Sequence, residues 1–243
     1  MKKIIISHGD KGGVGKSMFA SLALEYIISR GQKVTLVEGD PNIGDVARRY
    51  AGVDGINVLG VNLDKSGVDA ENAINALFSE IETLDSDYVV INSPANAAKT
   101  IDFHSDLIVP VAHDLGFEVL VAWMVGQGEE SASLSSKSHL CEFADKKMAV
   151  LNFGLSGGLG ADHFAWMEHP ARDAWLETGG IEGSIPLLIS RVSGQVKDIR
   201  AASMLQLAKA PDSPLNLISR QGLSRWLDSC FDGAVAPLIG EVA

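Results

Sequence analysis

The chain has 243 residues, 46% hydrophobic and 21% charged, enough to bury a sizeable core in one large domain or two small ones. Its net charge of −11 excludes a molecule that traps nucleic acid or anionic lipid by bulk electrostatics; such contact would need a local basic patch. Two cysteines, Cys141 and Cys230, stand far apart without metal-type spacing, as expected of small core residues in a reducing cytosol.

The opening run KKIIIS (Lys2–Ser7) is too short for a signal-peptide core and reads as a β-branched strand ending in a glycine-rich turn. From Ser17 the apolar positions Phe19, Leu22, Ala23, Tyr26 and Ile27 recur at helical spacing, and Gly31 closes the helix. KVTLVEGD (Lys33–Asp40) is a second strand, ended with the help of Pro41. DAENAINALFSEIETL reads as a helix, DYVVINSP (Asp87–Pro94) and DLIVPVAHD (Asp106–Asp114) as strands, and FEVLVAWMVGQ as a helix. KKMAVLNFG (Lys146–Gly154) is a strand, HFAWMEHPARDAWLE a helix interrupted near Pro170, and IEGSIPLL a last strand. Two helices, around Val196–Lys209 and Leu215–Phe231, finish the chain. Near-continuous apolar strands are strands covered on both faces. The alternation predicts an α/β fold, a mostly parallel sheet flanked by helices on both faces, in a single domain over residues 1–243. No stretch approaches the ~18 apolar residues of a membrane span, and a cytoplasmic location is expected.

The segment HGDKGGVGKSMFA (His8–Ala20) carries the chemistry. The usual phosphate loop is Gly, four residues, then Gly-Lys-Ser or Gly-Lys-Thr. Gly15-Lys16-Ser17 fits the end, whereas Asp10 stands where the first Gly belongs and a second lysine, Lys11, follows it. A glycine-rich turn from strand to helix aims backbone N–H groups and the positive helix end at phosphate oxygens. Gly12, Gly13 and Gly15 permit close approach, Lys16 reaches the β- and γ-phosphates, and the Ser17 hydroxyl ligates Mg²⁺. The expected fold is therefore that of a P-loop NTPase.

The order Lys11-Gly12-Gly13-Val14-Gly15-Lys16-Ser17 resembles the deviant Walker A motif of the ParA/MinD family of ATPases. The resemblance implies that Lys11 reaches across a nucleotide-sandwich homodimer to the phosphates held by the other subunit. VTLVEGDPN resembles the second family motif, with Asp40 matching the aspartate that positions the attacking water and Glu38 replacing the first aspartate. DYVVINSPAN occupies the Walker B place, but with Asn92 where the family has an aspartate, which weakens the metal site unless Glu38 or Asp40 compensates. AVLNFG resembles the family strand whose asparagine, here Asn152, reads the adenine edge. The implied nucleotide-binding set is Asp10, Lys11, Gly12, Gly13, Val14, Gly15, Lys16, Ser17, Met18 and Asn152. Catalysis is expected from Lys11, Lys16 and Asp40, and Mg²⁺ on Ser17 and Asp40. The resemblance covers roughly the first 155 residues well, and the last third only in element order.

The implied activity is that of a slow Mg²⁺-dependent ATPase acting as an ATP-driven dimerisation switch, with a protein partner or cargo adaptor, in plasmid partition, transfer or cargo positioning. Two other readings stand beside it: a biosynthetic ligase of the dethiobiotin synthetase-like class, and a non-hydrolysing nucleotide-binding regulator, which Asn92 keeps open. His163, Glu168 and His169 lack the one-face spacing of a metal site. The terminal helix sets Leu223, Trp226, Leu227, Cys230 and Phe231 on one face with Asp228 and Asp232 nearby, which suits packing on the body rather than on a membrane. Between Arg191 and Arg225, Lys197, Arg200, Lys209 and Arg220 outnumber Asp198 and Asp212. This segment is either a nonspecific DNA contact or scattered solvated charge.

Overall fold

The computed structural model describes residues 2–9, 11–42, 44–197 and 199–242. Asp10 and Asp198 lie outside the described residues. The chain alternates β1 (Lys2–His8), α1 (Lys16–Ser29), β2 (Val34–Glu38), α2 (Asp45–Tyr50), β3 (Ile56–Gly60), α3 (Val68–Ile81) and β4 (Tyr88–Asn92). It continues through α4 (Ser105–Asp114), β5 (Phe117–Val125), α5 (Glu129–Ser135), α6 (His139–Phe143), β6 (Lys146–Asn152), α7 (Pro170–Glu177) and β7 (Ile181–Ile185). It ends with α8 (Ser190–Lys197), α9 (Met204–Lys209), α10 (Leu217–Cys230), a π-helical turn (Phe231–Val235) and α11 (Ala236–Ile239).

The strands form one seven-stranded sheet in the order β3-β2-β4-β1-β5-β6-β7, and every neighbouring pair is parallel. One apolar cluster joins Phe19, Leu22 and Ile27 of α1 to Val46 and Tyr50 of α2 and to Leu223, Trp226 and Leu227 of α10. The opposite face holds Ile74 and Leu77 of α3, Ile108 and Val109 of α4, and Trp175 of α7. The fold is thus α/β with helices on both faces, as its apolar strands require. The face of α10 carrying Leu223, Trp226 and Cys230 is buried in this core. Among the described residues, no helix is long and apolar enough to cross a membrane.

Two elements exchange the identities that periodicity assigns them. Residues Asp106–Asp114, expected as a strand, form most of α4, and FEVLVAWMV, expected as a helix, is the nine-residue strand β5. In α4 the buried positions are Ser105, Ile108, Val109 and Ala112, a helical stripe that Pro110, exposed in mid-helix, masks in the sequence. β5 is buried on both faces, and a doubly buried strand has no period to separate it from a buried helix. The single helix expected over Val196–Lys209 is two, α8 and α9, the second opened by a capping box of Ser203 and Gln206. Pro170 stands in the first turn of α7 and starts that helix rather than interrupting it. The edge strand β3 and the short helices α2, α5 and α6 have no counterpart in the sequence reading.

A buried carboxylate ties the α1 face together. Glu25 accepts from Tyr50 Oη at 2.8 Å, from Leu205 N at 3.0 Å and from Met204 N, so it caps the start of α9 from within α1. Burial raises its pKa, against the pull of these donors.

Candidate nucleotide-binding site

The chain leaves β1 toward β2 on one side of the sheet and leaves β4 toward β5 on the other, which makes the carboxyl ends of these strands a topological switch point. Glu38, Asn92 and Ser7 stand in register across β2, β4 and β1, so three strand ends open side by side beneath the loop. Ser7 Oγ donates to Lys16 O at 2.8 Å, anchoring the start of α1 to the strand that feeds it.

Gly15 immediately precedes α1 at φ 112°, a region that favours glycine. A Cβ there would fall 2.6 Å from Asn152 Nδ2, so the close approach of the β6 end to the loop also needs glycine. Gly12 and Gly13 are exposed, Val14 is buried, and Ser17 and Met18 are half-buried. Lys16 is only 7% exposed and donates to Gly9 O at 2.8 Å and Lys11 O at 2.6 Å, strapping the loop around its ammonium group. The first turn of α1 contains no acidic residue of its own, and the carboxylate beside its positive end is that of Asp45 on α2. Glycines, a central ammonium and a positive helix start fit the phosphates of a nucleotide.

Beside the loop, Ser17 Oγ donates to Asp45 Oδ1 at 3.1 Å and lies 3.4 Å from Asn92 Nδ2. Asn92 Nδ2 also donates to Glu38 Oε1 at 2.7 Å, and Ala47 N to Glu38 Oε2 at 3.3 Å. Burial pushes the Glu38 carboxyl up to about 7, against the pull of the Asn92 and Ala47 donors. Among the described residues, the buried Asn92 Oδ1 has no hydrogen-bond partner. Hydroxyl, amide and carboxylate oxygens are the hard donors Mg²⁺ takes, with phosphate oxygens completing its shell. Among the described residues, no group of three or more His, Cys, Asp or Glu side chains could hold a metal ion by itself. Asp40 sits half-buried just past β2, and its Oδ1 accepts from Asn42 N at 3.2 Å in a local turn. It is Asp45, not Asp40, that the structure joins to the Ser17 hydroxyl.

Lys11 points outward, half-exposed, and its ammonium pairs with the Glu130 carboxylate on α5. Asn152 ends β6, and its Oδ1 accepts from Gly154 N at 3.0 Å. His169, one of the three residues weighed as a metal group, instead caps α7 by accepting from Ala171 N at 3.1 Å. Arg220 donates to Ala208 O at 3.2 Å and Lys209 O at 2.9 Å, so part of the basic C-terminal segment serves the end of α9.

Sequence reasoning missed three partnerships here: Ser17 with Asp45, Lys11 with Glu130, and His8 with Asp102. His8, buried directly before the loop, lies 2.6 Å from Asp102 Oδ2 and packs edge-on against Trp123. Asp102 also accepts from Ser138 Oγ at 2.5 Å and Leu140 N at 3.1 Å. Burial alone would raise its pKa, but the His8 contact and these donors outweigh burial and leave it lowered. Partners 28 to 119 residues apart carry no local signature.

A parallel sheet with a glycine-lysine-serine loop at the end of its central strand defines a P-loop nucleotide-binding fold. No protein-family model matches the chain. It is 25% identical over 228 residues to protein MobD of Acidithiobacillus ferrooxidans, covering 93% of each chain. It is 29% identical over 131 residues to protein TraL of Escherichia coli, 53% of this chain and 52% of that one. A solved structure of the MinD cell division protein of Aquifex aeolicus has 15% identity and a TM-score of 0.48, covering 93% of this chain and 97% of that chain. The loop and the sheet are those of a P-loop nucleotide-binding fold, in line with the resemblance of the loop to the deviant Walker A motif.

Proposed function

We propose that the chain, as one domain over residues 1–243, is a Mg²⁺-dependent ATPase whose ATP-bound homodimer engages a protein partner or cargo adaptor. The observation that carries this reading is the opposite placement of two lysines on one loop: Lys16 buried within it, Lys11 outside and half-exposed. An inward lysine serves its own nucleotide, whereas an outward one is free of that duty and suits the phosphates of a facing subunit. The Glu130 pair is exposed, and surface pairs of this kind are worth about 0–1 kcal/mol, so it is readily exchanged for phosphate. Lys16 and Lys11 would hold the γ-phosphate, Asp40 would position the attacking water, and Asn152 would contact the base. Bound Mg²⁺ would supply charge neutralisation on the phosphates. Plasmid partition, transfer or cargo positioning is the setting we favour, with nonspecific DNA a further candidate partner.

Lys11→Ala is expected to keep ATP binding in the monomer and to lose the ATP-dependent dimer in sedimentation. Normal dimerisation of that variant would overturn the sandwich.

A second reading, the non-hydrolysing regulator, rests on Asn92. Asn92→Asp would place a carboxylate against Glu38 across the 2.7 Å that the amide now bridges. The variant is expected to melt lower without metal and to gain Mg²⁺ affinity or turnover with nucleotide, read by calorimetry and phosphate release. Neither gain would favour the regulator.

A further inference from the structure

The Walker B position of this chain brings an amide instead of a carboxylate, so the negative charge beside Ser17 must come from elsewhere. Asp45 opens α2, and its carboxylate accepts the Ser17 hydroxyl proton at 3.1 Å while also accepting from Val46 N at 2.9 Å. A serine hydroxyl has one proton to give and two lone pairs. With its proton directed to Asp45, the Ser17 oxygen presents lone-pair density elsewhere. The same oxygen accepts from Asn92 Nδ2 at 3.4 Å, while Asn92 Oδ1 is buried and, among the described residues, has no hydrogen-bond partner; Asn92 itself is 4% exposed. An unpaired buried amide oxygen costs about 1–3 kcal/mol, which a cation or its bound water would recover.

We propose that Asp45 supplies the carboxylate of a divalent-cation site, completed by the Ser17 hydroxyl and the phosphates of a bound nucleotide, with the Asn92 amide oxygen accepting from a water of the ion. Asp45 does here what a strand-borne aspartate at position 92 would otherwise do. The charge has moved from the end of β4 to the start of α2. Mg²⁺ binds through one or two carboxylates plus substrate phosphates, so the donor set is sufficient once a nucleotide is present. The assignment replaces Asp40 as the metal-side acid and leaves Asp40 to the water. It rests on the nucleotide reading given above, since the phosphates complete the shell.

The test measures binding, not turnover. ADP affinity of the intact protein is determined by calorimetry in EDTA and in Mg²⁺, and bound Mn²⁺ is counted by paramagnetic resonance in the protein–ADP mixture. The native chain is expected to hold one Mn²⁺ with ADP and to bind ADP more tightly with Mg²⁺. Asp45→Asn keeps an acceptor for Val46 N and removes the charge. It should bind ADP in EDTA as the native chain does, yet require at least tenfold more Mn²⁺ for half-saturation. Asp45→Glu, which restores the charge, should recover part of the loss. A matching native melting temperature in both variants shows that the fold is kept. Native Mn²⁺ affinity in Asp45→Asn would overturn the assignment while leaving nucleotide binding intact. Absence of ADP binding to the native chain in either condition would overturn the nucleotide reading, and this site with it.

Discussion

Lys16→Ala is expected to weaken ATP binding at least tenfold in calorimetry. A charge-assisted contact to phosphate is worth on the order of 2–3 kcal/mol, and each ~1.4 kcal/mol is a factor of ten. The structure adds a second reason. The Lys16 ammonium holds Gly9 O and Lys11 O at 2.8 and 2.6 Å, so its removal also frees both ends of the loop from a common tether. The binding surface then loses its charge and must be ordered afresh on association. The fold should survive, since Ser7 Oγ still bonds the residue-16 carbonyl and the apolar face of α1 is untouched. Native ATP affinity in this variant would remove the phosphate-loop reading.

Asp102→Ala should produce the largest loss of stability, on the order of 3 kcal/mol or more in urea unfolding, since each buried donor left without a partner costs about 1–3 kcal/mol. Asp102 joins His8 at the end of β1 to Ser138 and Leu140 at the start of α6, and it is 6% exposed. Truncation strands a wholly buried imidazole, a hydroxyl and a backbone N–H at once. Asp102→Asn, which keeps an acceptor, should cost clearly less. The pH dependence follows from the sign of the shift. A carboxyl whose folded pKa is lowered contributes stability above its unfolded value of about 3.9, and loses it as the pH falls through the folded value. The gap between native and Asp102→Asn stability should therefore be full at neutral pH and narrow below about pH 4. An equal gap at pH 3 and pH 7 would assign the cost to packing rather than to the charge. Because His8 leads directly into the loop, this network also sets where the loop begins.

Local chemistry made much of the protein legible. The Gly-Lys-Ser loop after a β-branched run stood out because its mechanism needs neighbouring residues of fixed types. The strands at Lys2–His8, Val34–Glu38, Tyr88–Asn92 and Lys146–Asn152 were readable as short apolar runs bounded by turn residues. Gly31, at φ 76° just past α1, was readable as a helix stop. The substitution of Asn92 for an acid was visible too, as a question about the metal.

Tertiary structure decided the rest. Whether Phe117–Val125 is strand or helix depends on neighbours on both faces, and a residue run that is apolar everywhere cannot state its own period. Which acid answers Asn92 depends on where α2 starts relative to α1, a matter of helix packing that brings residues 17 and 45 together. Lys11 meets Glu130 and His8 meets Asp102 only because β1 lies beside β5 and the segments leading to α4 and α5 rise from the same edge of the sheet. The sequence by itself determined the phosphate loop, the parallel α/β class and the identity of the groups available for chemistry, because these follow from residue type and spacing. Their pairing came only with the fold, because contacts between residues distant along the chain are specified by the packing of the whole core.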